Sequence, residues 1–371
     1  RSVGDVFGSA LAAEGIFAFF LESGFLALMI FGWDRVGPRL HYFATCMVAL
    51  GAHFSAVWIV VANSWQQTPA GFHLVEHQGG LRAEITDFWA MVFNPSSMDR
   101  LIHTLCGAWQ AGAWLVVSVS AWYLLKNRHV EFARASLKIG LAVALVSSLL
   151  QLSTGHGSAI GVSRNQPAKL AAFEGHYATE PAPLYLFGWV NEAGRNVRFG
   201  VAIPGMLSYL VHGDAQKPVQ GLDSFAPRDR PPVNAVFQTY HAMVAIGMGL
   251  IALAAVSVIQ WARGRLFTQR WLLGLLVPAV LGPQLANQLG WASAEIGRQP
   301  WIVQGMLRTA DAFSKNVGKE AILASLALFS LVYALLFAVF IFLLNHKIQN
   351  GPDDTDPSPA APFRNEPRAD A

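Results

Sequence analysis

Seven long apolar runs, separated by polar connections, dominate the chain. A helix needs roughly 20 apolar residues to cross the hydrocarbon core of a bilayer. The runs that reach this length lie near residues 10–32, 40–62, 101–124, 135–155, 233–261, 271–291 and 321–345. The pattern therefore predicts an all-α, polytopic transmembrane helix bundle of about seven spans.

The same pattern divides the chain into four parts. Residues 1–155 carry the first four spans, and residues 233–346 carry the last three. Between them, residues 156–232 are rich in Gly, Pro and mixed charge, and they are long enough for a functional loop outside the bilayer. Residues 347–371 combine prolines with polar residues, which predicts a disordered tail.

Basic residues mark alternate connections and so indicate the orientation. Those after the first, third and fifth runs are Arg35, Arg39, Lys126, Arg128, Arg134, Arg263, Arg265 and Arg270. Basic residues in short loops stay in the cytoplasm. We therefore expect the N-terminus and the loop 156–232 outside and the tail inside.

Composition narrows the class of protein. Hydrophobic residues make up 53% of the chain and charged residues only 13%, which excludes an ordinary soluble domain. The net charge of +3, without a basic run interleaved with aromatic residues, argues against a nucleic acid partner. Cys46 and Cys106 both lie in apolar runs, where cysteine usually behaves as a small hydrophobic residue.

Two acidic residues lie within the first span. Ionisable groups inside a bilayer are costly and are candidate functional residues. Glu14 and Glu22 are eight positions apart, hence roughly 12 Å along a regular helix and about 80° apart around it. They either serve proton transfer or are simply bonded to neighbouring polar groups.

A histidine and a methionine occupy similar depths in the third and fifth spans. His103 and Met243 each lie near the outer side, and a His–Met pair suits a low-spin electron-transfer haem. His241 competes for the ligand role, but residues two apart on a helix differ by roughly 200°, so His241 and Met243 cannot both face one iron. Each could also be an ordinary core residue.

A third acidic residue, Glu295, ends the sixth span one turn after Trp291. It either contributes to a haem site or forms an interfacial ion pair with Arg298. Glu14, His103, Met243 and Glu295 all fall toward the outer side of the membrane, which favours one shared cofactor region.

These motifs resemble the large subunit of cytochrome bd-type quinol oxidases over nearly the whole chain up to about residue 346. The matching stretches are Gly297-Arg298-Gln299-Pro300-Trp301, Glu14-Gly15, Leu21-Glu22-Ser23, Phe31-Gly32-Trp33-Asp34-Arg35, Trp58-Ile59-Val60-Val61-Ala62-Asn63 and residues 166–174. The short connection from Gly155 to the fifth span is similar to the short-loop branch of that family, which includes cyanide-insensitive oxidases.

The resemblance implies three haems. A low-spin haem b would be held by His103 and Met243, so the resemblance favours Met243 over His241 as the ligand. Glu295 would ligate or adjoin a high-spin haem b, with Trp291 packed beside the haems. Glu14 would lie next to haem d, or a haem b in its place.

The resemblance also assigns a proton path, a quinol site and partners. Glu22, Ser23 and Ser55 match groups of a proton path from the cytoplasm, and Asn63 would lie near the haem group. Lys169 and Glu174 match quinol-oxidising residues; from the sequence alone they would be ordinary solvated charges. The implied partners are a second large membrane subunit and a small single-span subunit, in the bacterial cytoplasmic membrane.

This sequence departs from the family pattern at two places. His241 stands where an Arg is expected. The family also has two further upstream helices with a His haem ligand, so the sequence resembles an N-terminally truncated chain. His41 and His53 are the intramembrane candidates to replace that ligand, but their depths argue against both.

The predicted function is that of a terminal oxidase subunit that oxidises ubiquinol or menaquinol and reduces oxygen to water, contributing to the proton motive force. Arg298 and Glu295 join Glu14, Glu22 and Trp291 as the predicted catalytic group. The alternatives are a haem b electron-transfer subunit without oxygen reduction and a proton-coupled transporter.

Overall fold

The fold is seen in a computed structural model that describes residues 3–77, 80–313 and 317–352. Helices dominate it, which confirms the predicted all-α membrane bundle. The α-helices are α1 (Gly4–Glu14), α2 (Phe20–Phe31), α3 (Pro38–Gln67), α4 (Phe88–Val92), α5 (Ser97–Leu125), α6 (Val130–Asn165), α7 (Pro167–Phe173), α8 (Met206–His212), α9 (Val233–Ala262), α10 (Arg270–Leu276), α11 (Leu281–Ile296) and α12 (Lys319–Asn350).

Within the described residues, six helical stretches are long and apolar enough to cross a membrane. They are Pro38–Gln67, Ser97–Leu125, Val130–Asn165, Pro227–Ala262, Arg270–Ile296 and Lys319–Asn350. The first predicted span is not among them, because it consists of two shorter helices, α1 and α2. The span count is thus roughly the predicted one.

A π-helical turn, Gly15–Phe19, joins α1 to α2. It begins directly after Glu14, so the helix departs from regular geometry between the two acidic residues of this span. Such turns place one extra residue in a helix and often occur at functional sites.

Proline sets several helix boundaries. Pro38 and Pro167 occupy the first turns of α3 and α7, where a missing N–H costs nothing. The predicted sixth span is interrupted by a 3₁₀ turn, Pro278–Val280, between α10 and α11. A proline inside a helix removes one backbone hydrogen bond, which explains the interruption.

The loop predicted at residues 156–232 differs from its prediction at its start. Helix α6 continues to Asn165, past the predicted end at residue 155. Gln166 then has an extended φ of −141°, as expected for a residue before proline, and α7 follows at once. Residues 156–165 are therefore helical, and the loop proper begins at Gln166.

Within the described ranges, three two-stranded antiparallel hairpins lie between the helices, and they were not predicted. Their strands are β1 (Phe72–His77), β2 (Gly80–Ile85), β3 (Leu184–Asn191), β4 (Asn196–Ile203), β5 (Trp301–Val303) and β6 (Leu307–Arg308). A buried cluster that includes Leu170, Phe173, Val190 and Phe237 packs α7 and β3 onto the start of α9. The loop therefore has a hydrophobic core of its own.

The chain forms two compact units. One consists of Arg1–Trp109, Ser147–Met248 and Leu285–Ala312, and all the predicted site residues fall within it. The other consists of Gln110–Val146, Gly249–Gln284 and Phe313–Ala371. Helix α12 belongs to the second unit and extends to Asn350, so residues 347–350 of the predicted disordered tail are helical. Residues 353–371 of that tail lie outside the described residues.

Candidate functional site

The first span carries Glu14 at the end of α1. The Oγ of Ser55, on α3, donates a hydrogen bond of 2.6 Å to Glu14 Oε1. The carboxylate is therefore half-buried and bonded to a hydroxyl on the neighbouring helix. This contact joins two residues that the sequence analysis placed in different groups, the haem site and the proton path.

Glu22 lies on α2, beside the same helix. A Cβ at Gly51 of α3 would lie 3.0 Å from the backbone nitrogen of Glu22, so a larger residue here would push the two helices apart. The hydroxyl of Ser23 donates to the carbonyl oxygen of Phe19 in its own helix. The structure thus brings Ser55 to Glu14, whereas Ser23 bonds within its own helix.

His103 is a residue of α5, and its ring contacts α6. The hydrogen bonds of this ring define its tautomer. The hydroxyl of Thr154 donates to the carbonyl oxygen of Gln151 (3.3 Å), so its oxygen accepts from Nδ1–H of His103 at 3.1 Å. The amide Nε2 of Gln151 lies 2.9 Å from His103 Nε2 and donates to it. The Nε2 lone pair is therefore the one that a metal would take, with Nδ1–H held by a second group.

Met243, on α9, faces α11. A Cβ at Gly290 would lie 2.7 Å from Met243 Sδ, so Gly290 gives this thioether its space. One turn earlier on α11, Asn287 Nδ2 donates 3.3 Å to the carbonyl oxygen of Gly107, one turn beyond His103 on α5. One stretch of α11 therefore contacts both helices that carry the predicted low-spin haem ligands.

Glycine lies against both predicted ligands, so neither of these two neighbouring positions places a side chain against them. Gly155 faces His103, where a Cβ would come 3.3 Å from Cε1, and Gly290 faces Met243. A neutral imidazole and a thioether are also the right donor set for a low-spin haem. The residues present therefore fit the haem that the resemblance implies.

His241 points away from Met243, as the helical spacing predicts. Its Nδ1 lies 2.9 Å from the carbonyl oxygen of Phe237, and its Nε2 lies 3.0 Å from that of Tyr185 in β3. His241 thus belongs to the loop side of α9, where it also stacks on the ring of Phe237 at 3.9 Å.

Glu295, at the end of α11, has both carboxylate oxygens engaged. Asn63 Nδ2 donates 2.8 Å to Oε1, and Arg298 bonds to Oε2. Asn63 Oδ1 in turn accepts from the guanidinium of Arg100. The Glu295–Arg298 ion pair considered from the sequence is therefore present, within a network that reaches α3 and α5.

Trp291 lies one turn before Glu295 on the same helix and is 45% exposed in this chain. A large aromatic side chain left open beside buried charged groups offers a flat apolar surface to a cofactor. Its position is compatible with the packing role that the resemblance implies.

Lys169, on α7, is buried rather than solvated. Its Nζ donates to Gln166 Oε1 at 2.8 Å and to Gln67 Oε1 at the end of α3. Burial, reinforced by Arg100 and Arg298, holds the pKa of Lys169 well below its usual value. An ordinary surface lysine, the alternative from the sequence, would show none of this.

Glu174 follows α7 and is 2% exposed. Burial raises the pKa of Glu174 to about 8. Its Oε2 has no hydrogen-bond partner among the described residues and lies 4.0 Å from His241 Nε2. Beside it, Tyr240 stacks on Phe173 with ring centroids 4.4 Å apart.

His41 and His53 both have local partners. His41 Nε2 lies 2.9 Å from the carbonyl oxygen of Met29. His53 Nδ1 lies 2.7 Å from that of Ala49, and its Nε2 accepts from Trp109 Nε1 at 2.9 Å. Across the described ranges no group of three or more His, Cys, Asp or Glu residues converges as a metal site.

Sequence reasoning missed several residues that hold these groups in place. Thr154 and Gln151 contact the His103 ring, Arg100 contacts Asn63, and the adjacent Gln66 and Gln67 contact Arg298 and Lys169. The available signal was weak: polar residues near the outer ends of spans, one turn or less from a recognised position.

Comparison with known proteins agrees with the geometry. The sequence model of the family "Cytochrome bd terminal oxidase subunit I" matches residues 1–352. "Cytochrome bd ubiquinol oxidase subunit 1" of Bacillus subtilis (strain 168) is 35% identical over 362 residues, covering 95% of this chain and 76% of that protein. "Cytochrome bd-II ubiquinol oxidase subunit 1" of Escherichia coli (strain K12) is 31% identical over 418 residues, covering 94% and 80%.

A solved structure is similar as well. The bd oxidase from Geobacillus thermodenitrificans has a TM-score of 0.84 and 31% sequence identity, covering 94% of this chain and 79% of that one. Identity, coverage and fold thus agree over the same residues. The chain belongs to the family of cytochrome bd terminal oxidase subunit I.

Proposed function

We propose that this chain is the subunit of a terminal oxidase in which quinol is oxidised beside Lys169 and Glu174 and oxygen is reduced to water. The observation that carries the proposal is the His103–Thr154 hydrogen bond of 3.1 Å, which assigns the proton to Nδ1 and the lone pair to Nε2 in a membrane-spanning helix. A metal would take that lone pair in place of the Gln151 amide, which donates to it here. Family membership favours this function over a transporter and over an electron-transfer subunit without oxygen chemistry.

His103 and Met243 would hold a low-spin haem b. Glu295 would serve a high-spin haem b with Trp291 at its side, and Glu14 would lie near haem d, or a haem b in its place. When bound, haems supply the one-electron carriers and the oxygen-binding iron. The Glu295 carboxylate would have to release Asn63 or Arg298 to meet an iron directly, since both of its oxygens are bonded.

Lys169 and Glu174 suit the oxidation of a quinol. With its pKa lowered, Lys169 has an amine that orients a quinol oxygen without holding a full charge at all times. Glu174, with a pKa of about 8, is a stronger base than an ordinary carboxylate when it is ionised. The 4.0 Å separation from His241 gives the proton that Glu174 accepts a neighbouring imidazole.

Glu14, Glu22, Ser23 and Ser55 would deliver protons to the oxygen-reducing side. The Ser55–Glu14 hydrogen bond supports the last step of this path, because a hydroxyl can pass a proton to the carboxylate that it contacts. Arg298 would pair with the Glu295 carboxylate. Release of protons outside and uptake from inside would make the reaction electrogenic.

The proposed setting is the bacterial cytoplasmic membrane. The substrates would be oxygen and ubiquinol or menaquinol. The partners would be a second large membrane subunit and a small single-span subunit.

A reduced-minus-oxidised absorbance spectrum of the purified complex tests the proposal, together with quinol-dependent oxygen consumption. We expect haem b bands with a chlorin band, or a second haem b signal in its place, and oxygen uptake on addition of quinol. His103→Ala should remove the low-spin haem signal and quinol oxidation, whereas His41→Ala should retain both. A colourless complex, or a His103→Ala variant with an unchanged spectrum, would overturn the assignment.

A further inference from the structure

Gln67, the last residue of α3, is a buried amide with only half of its hydrogen-bonding capacity used. Its side chain is 1% exposed, and Oε1 accepts from Lys169 Nζ. Its Nε2 is also buried, and it has no hydrogen-bond partner among the described residues. A buried N–H without an acceptor is costly, so an acceptor from outside the described residues is expected to meet this one.

Other unused donors lie around the same place. Ser293 Oγ and Arg298 Nε are buried and likewise have no partner in the described part of the chain. A Cβ at Gly297 would lie 3.0 Å from Lys169 Cγ and 2.7 Å from the carbonyl oxygen of Ser293, so α7 and the end of α11 meet here without a side chain between them.

Charge points to the same conclusion. Lys169 is close enough to Arg100 and Arg298 to feel both, with Glu295 as the acidic residue that opposes them. Basic side chains therefore accompany unpaired buried donors, Gln67 Nε2 and Arg298 Nε. A further acceptor oxygen would pair with these donors.

Gln66 and Gln67 connect this region to both sides of the proposed reaction. Gln66 Oε1 accepts from Arg298 Nη1 at 3.0 Å, while Gln67 holds Lys169. The end of α3 thus contacts the proposed quinol side through Gln67 and the Glu295 side through Gln66.

We propose that Gln67 is a quinol-binding residue whose Nε2–H donates to an oxygen of the bound quinol or quinone while its Oε1 holds Lys169. This inference rests on the proposed quinol site. It adds a direct ligand contact from α3 to the two loop residues, Lys169 and Glu174, and it makes Gln67 more than a support for the lysine side chain.

A double-mutant cycle separates direct contact from support. The dissociation constant of a short-chain quinone is measured for the full complex with Gln67→Leu, Lys169→Met and both changes together. We expect Gln67→Leu to weaken binding about tenfold in either background, the loss of one hydrogen bond to a ligand. If the effect disappears once Lys169 is replaced, Gln67 only holds the lysine, and the proposal is wrong.

Infrared spectroscopy of a ¹³C-labelled quinone provides a second measurement. Its result would not change if Gln67 only supported Lys169. The carbonyl stretch should shift to higher frequency in Gln67→Leu and stay at the native frequency in Gln260→Leu, a half-buried glutamine of α9 in the other unit. An unchanged frequency in Gln67→Leu overturns the proposal even where the binding of the double variant is too weak to measure.

Two further outcomes are informative. A shift of a haem midpoint potential in Gln67→Leu, with quinone affinity unchanged, would indicate that Gln67 Nε2–H donates to a haem carboxylate and not to the quinone. That result would contradict the proposal. Failure of the native complex to oxidise any quinol would instead refute the proposed function. A native complex that oxidises quinol, beside variants that bind normally, refutes this inference alone.

Discussion

His103 shows how one neighbouring hydroxyl prepares a side chain for iron. Thr154 Oγ1 accepts a hydrogen bond from Nδ1–H, and that fixes which nitrogen keeps its lone pair. A hydrogen bond to the distal nitrogen also makes an imidazole a stronger electron donor to a metal. The contact should therefore tune the proposed haem as well as orient its ligand.

Replacing Thr154 tests this role. In Thr154→Val the acceptor is lost, the imidazole donates less strongly, and the midpoint potential of the low-spin haem should rise by an amount on the order of tens of millivolts. Redox titration of the absorbance band measures it. Thr104→Val, an exposed threonine beside His103, is the matched control and should leave the potential unchanged. A potential that stays at the native value in both variants would refute the role of Thr154.

Glu174 should give quinol oxidation a pH dependence. A carboxyl accepts a proton only when ionised, and the pKa of Glu174 is raised to about 8, so kcat/KM should increase with pH up to about 8 and then level off. In Glu174→Gln this increase should be absent and the rate low throughout. Steady-state rates between pH 6 and about 9 provide the measurement. A native profile without an increase near pH 8 would show that Glu174 is not the proton acceptor.

At the scale of elements, α11 carries several groups of the proposed site within about two turns. Gly290 faces Met243, Trp291 is open, and Glu295 meets Arg298 and Asn63. A rigid helix keeps such spacings more accurately than a loop does. Changes on the glycine side of α11 should therefore affect the proposed haem more than they affect folding.

Gly290→Ala is the direct test of this element. The added Cβ would lie 2.7 Å from Met243 Sδ, so the flexible methionine must shift, which costs the fold little but disturbs a ligand. We expect an altered or weakened low-spin haem band with normal expression. Gly247→Ala, on α9 where nothing lies within 4 Å of the added Cβ, is the control. Identical spectra for both variants would contradict the placement of Met243.

The same elements show what the sequence could and could not provide. Apolar length predicted the spans, because the bilayer imposes it on each helix separately. The π turn, the interruption at Pro278 and the three hairpins were missed, since a short deviation barely changes an apolar pattern. The contacts of Gln66 and Gln67 join residues more than 100 positions apart, and no local pattern in one sequence reports them.

At the scale of the whole molecule, the most general property of this chain is its exposed apolar surface. Helix α12 is the extreme case, because none of its most apolar window is buried in this chain. Its side chains from Ile322 to Leu343 are largely exposed hydrophobic residues. Such side chains suit the hydrocarbon core of a lipid bilayer.

Orientation of the whole molecule is open to a direct test. In a background of Cys46→Ala and Cys106→Ala, a cysteine at Ala193 in the β3–β4 turn should react with a membrane-impermeant maleimide on the outer side. A cysteine at Lys126, between α5 and α6, should react only after the membrane is opened, because basic loops stay cytoplasmic. Both positions are exposed in this chain. Labelling in the reverse order would invert the orientation.

The π turn after Glu14 has one more consequence. Eight residues of regular helix would leave Glu14 and Glu22 about 80° apart, but one surplus residue makes the interval equivalent to seven, or about two full turns. The Cα atoms of Glu14 and Glu22 then lie within roughly 20° of each other around the helix axis. They face α3, where Ser55 and Gly51 lie. A single irregular turn thus aligns Glu14 and Glu22 on one side of the span. Removing one residue from this π turn would rotate Glu22 away from that side.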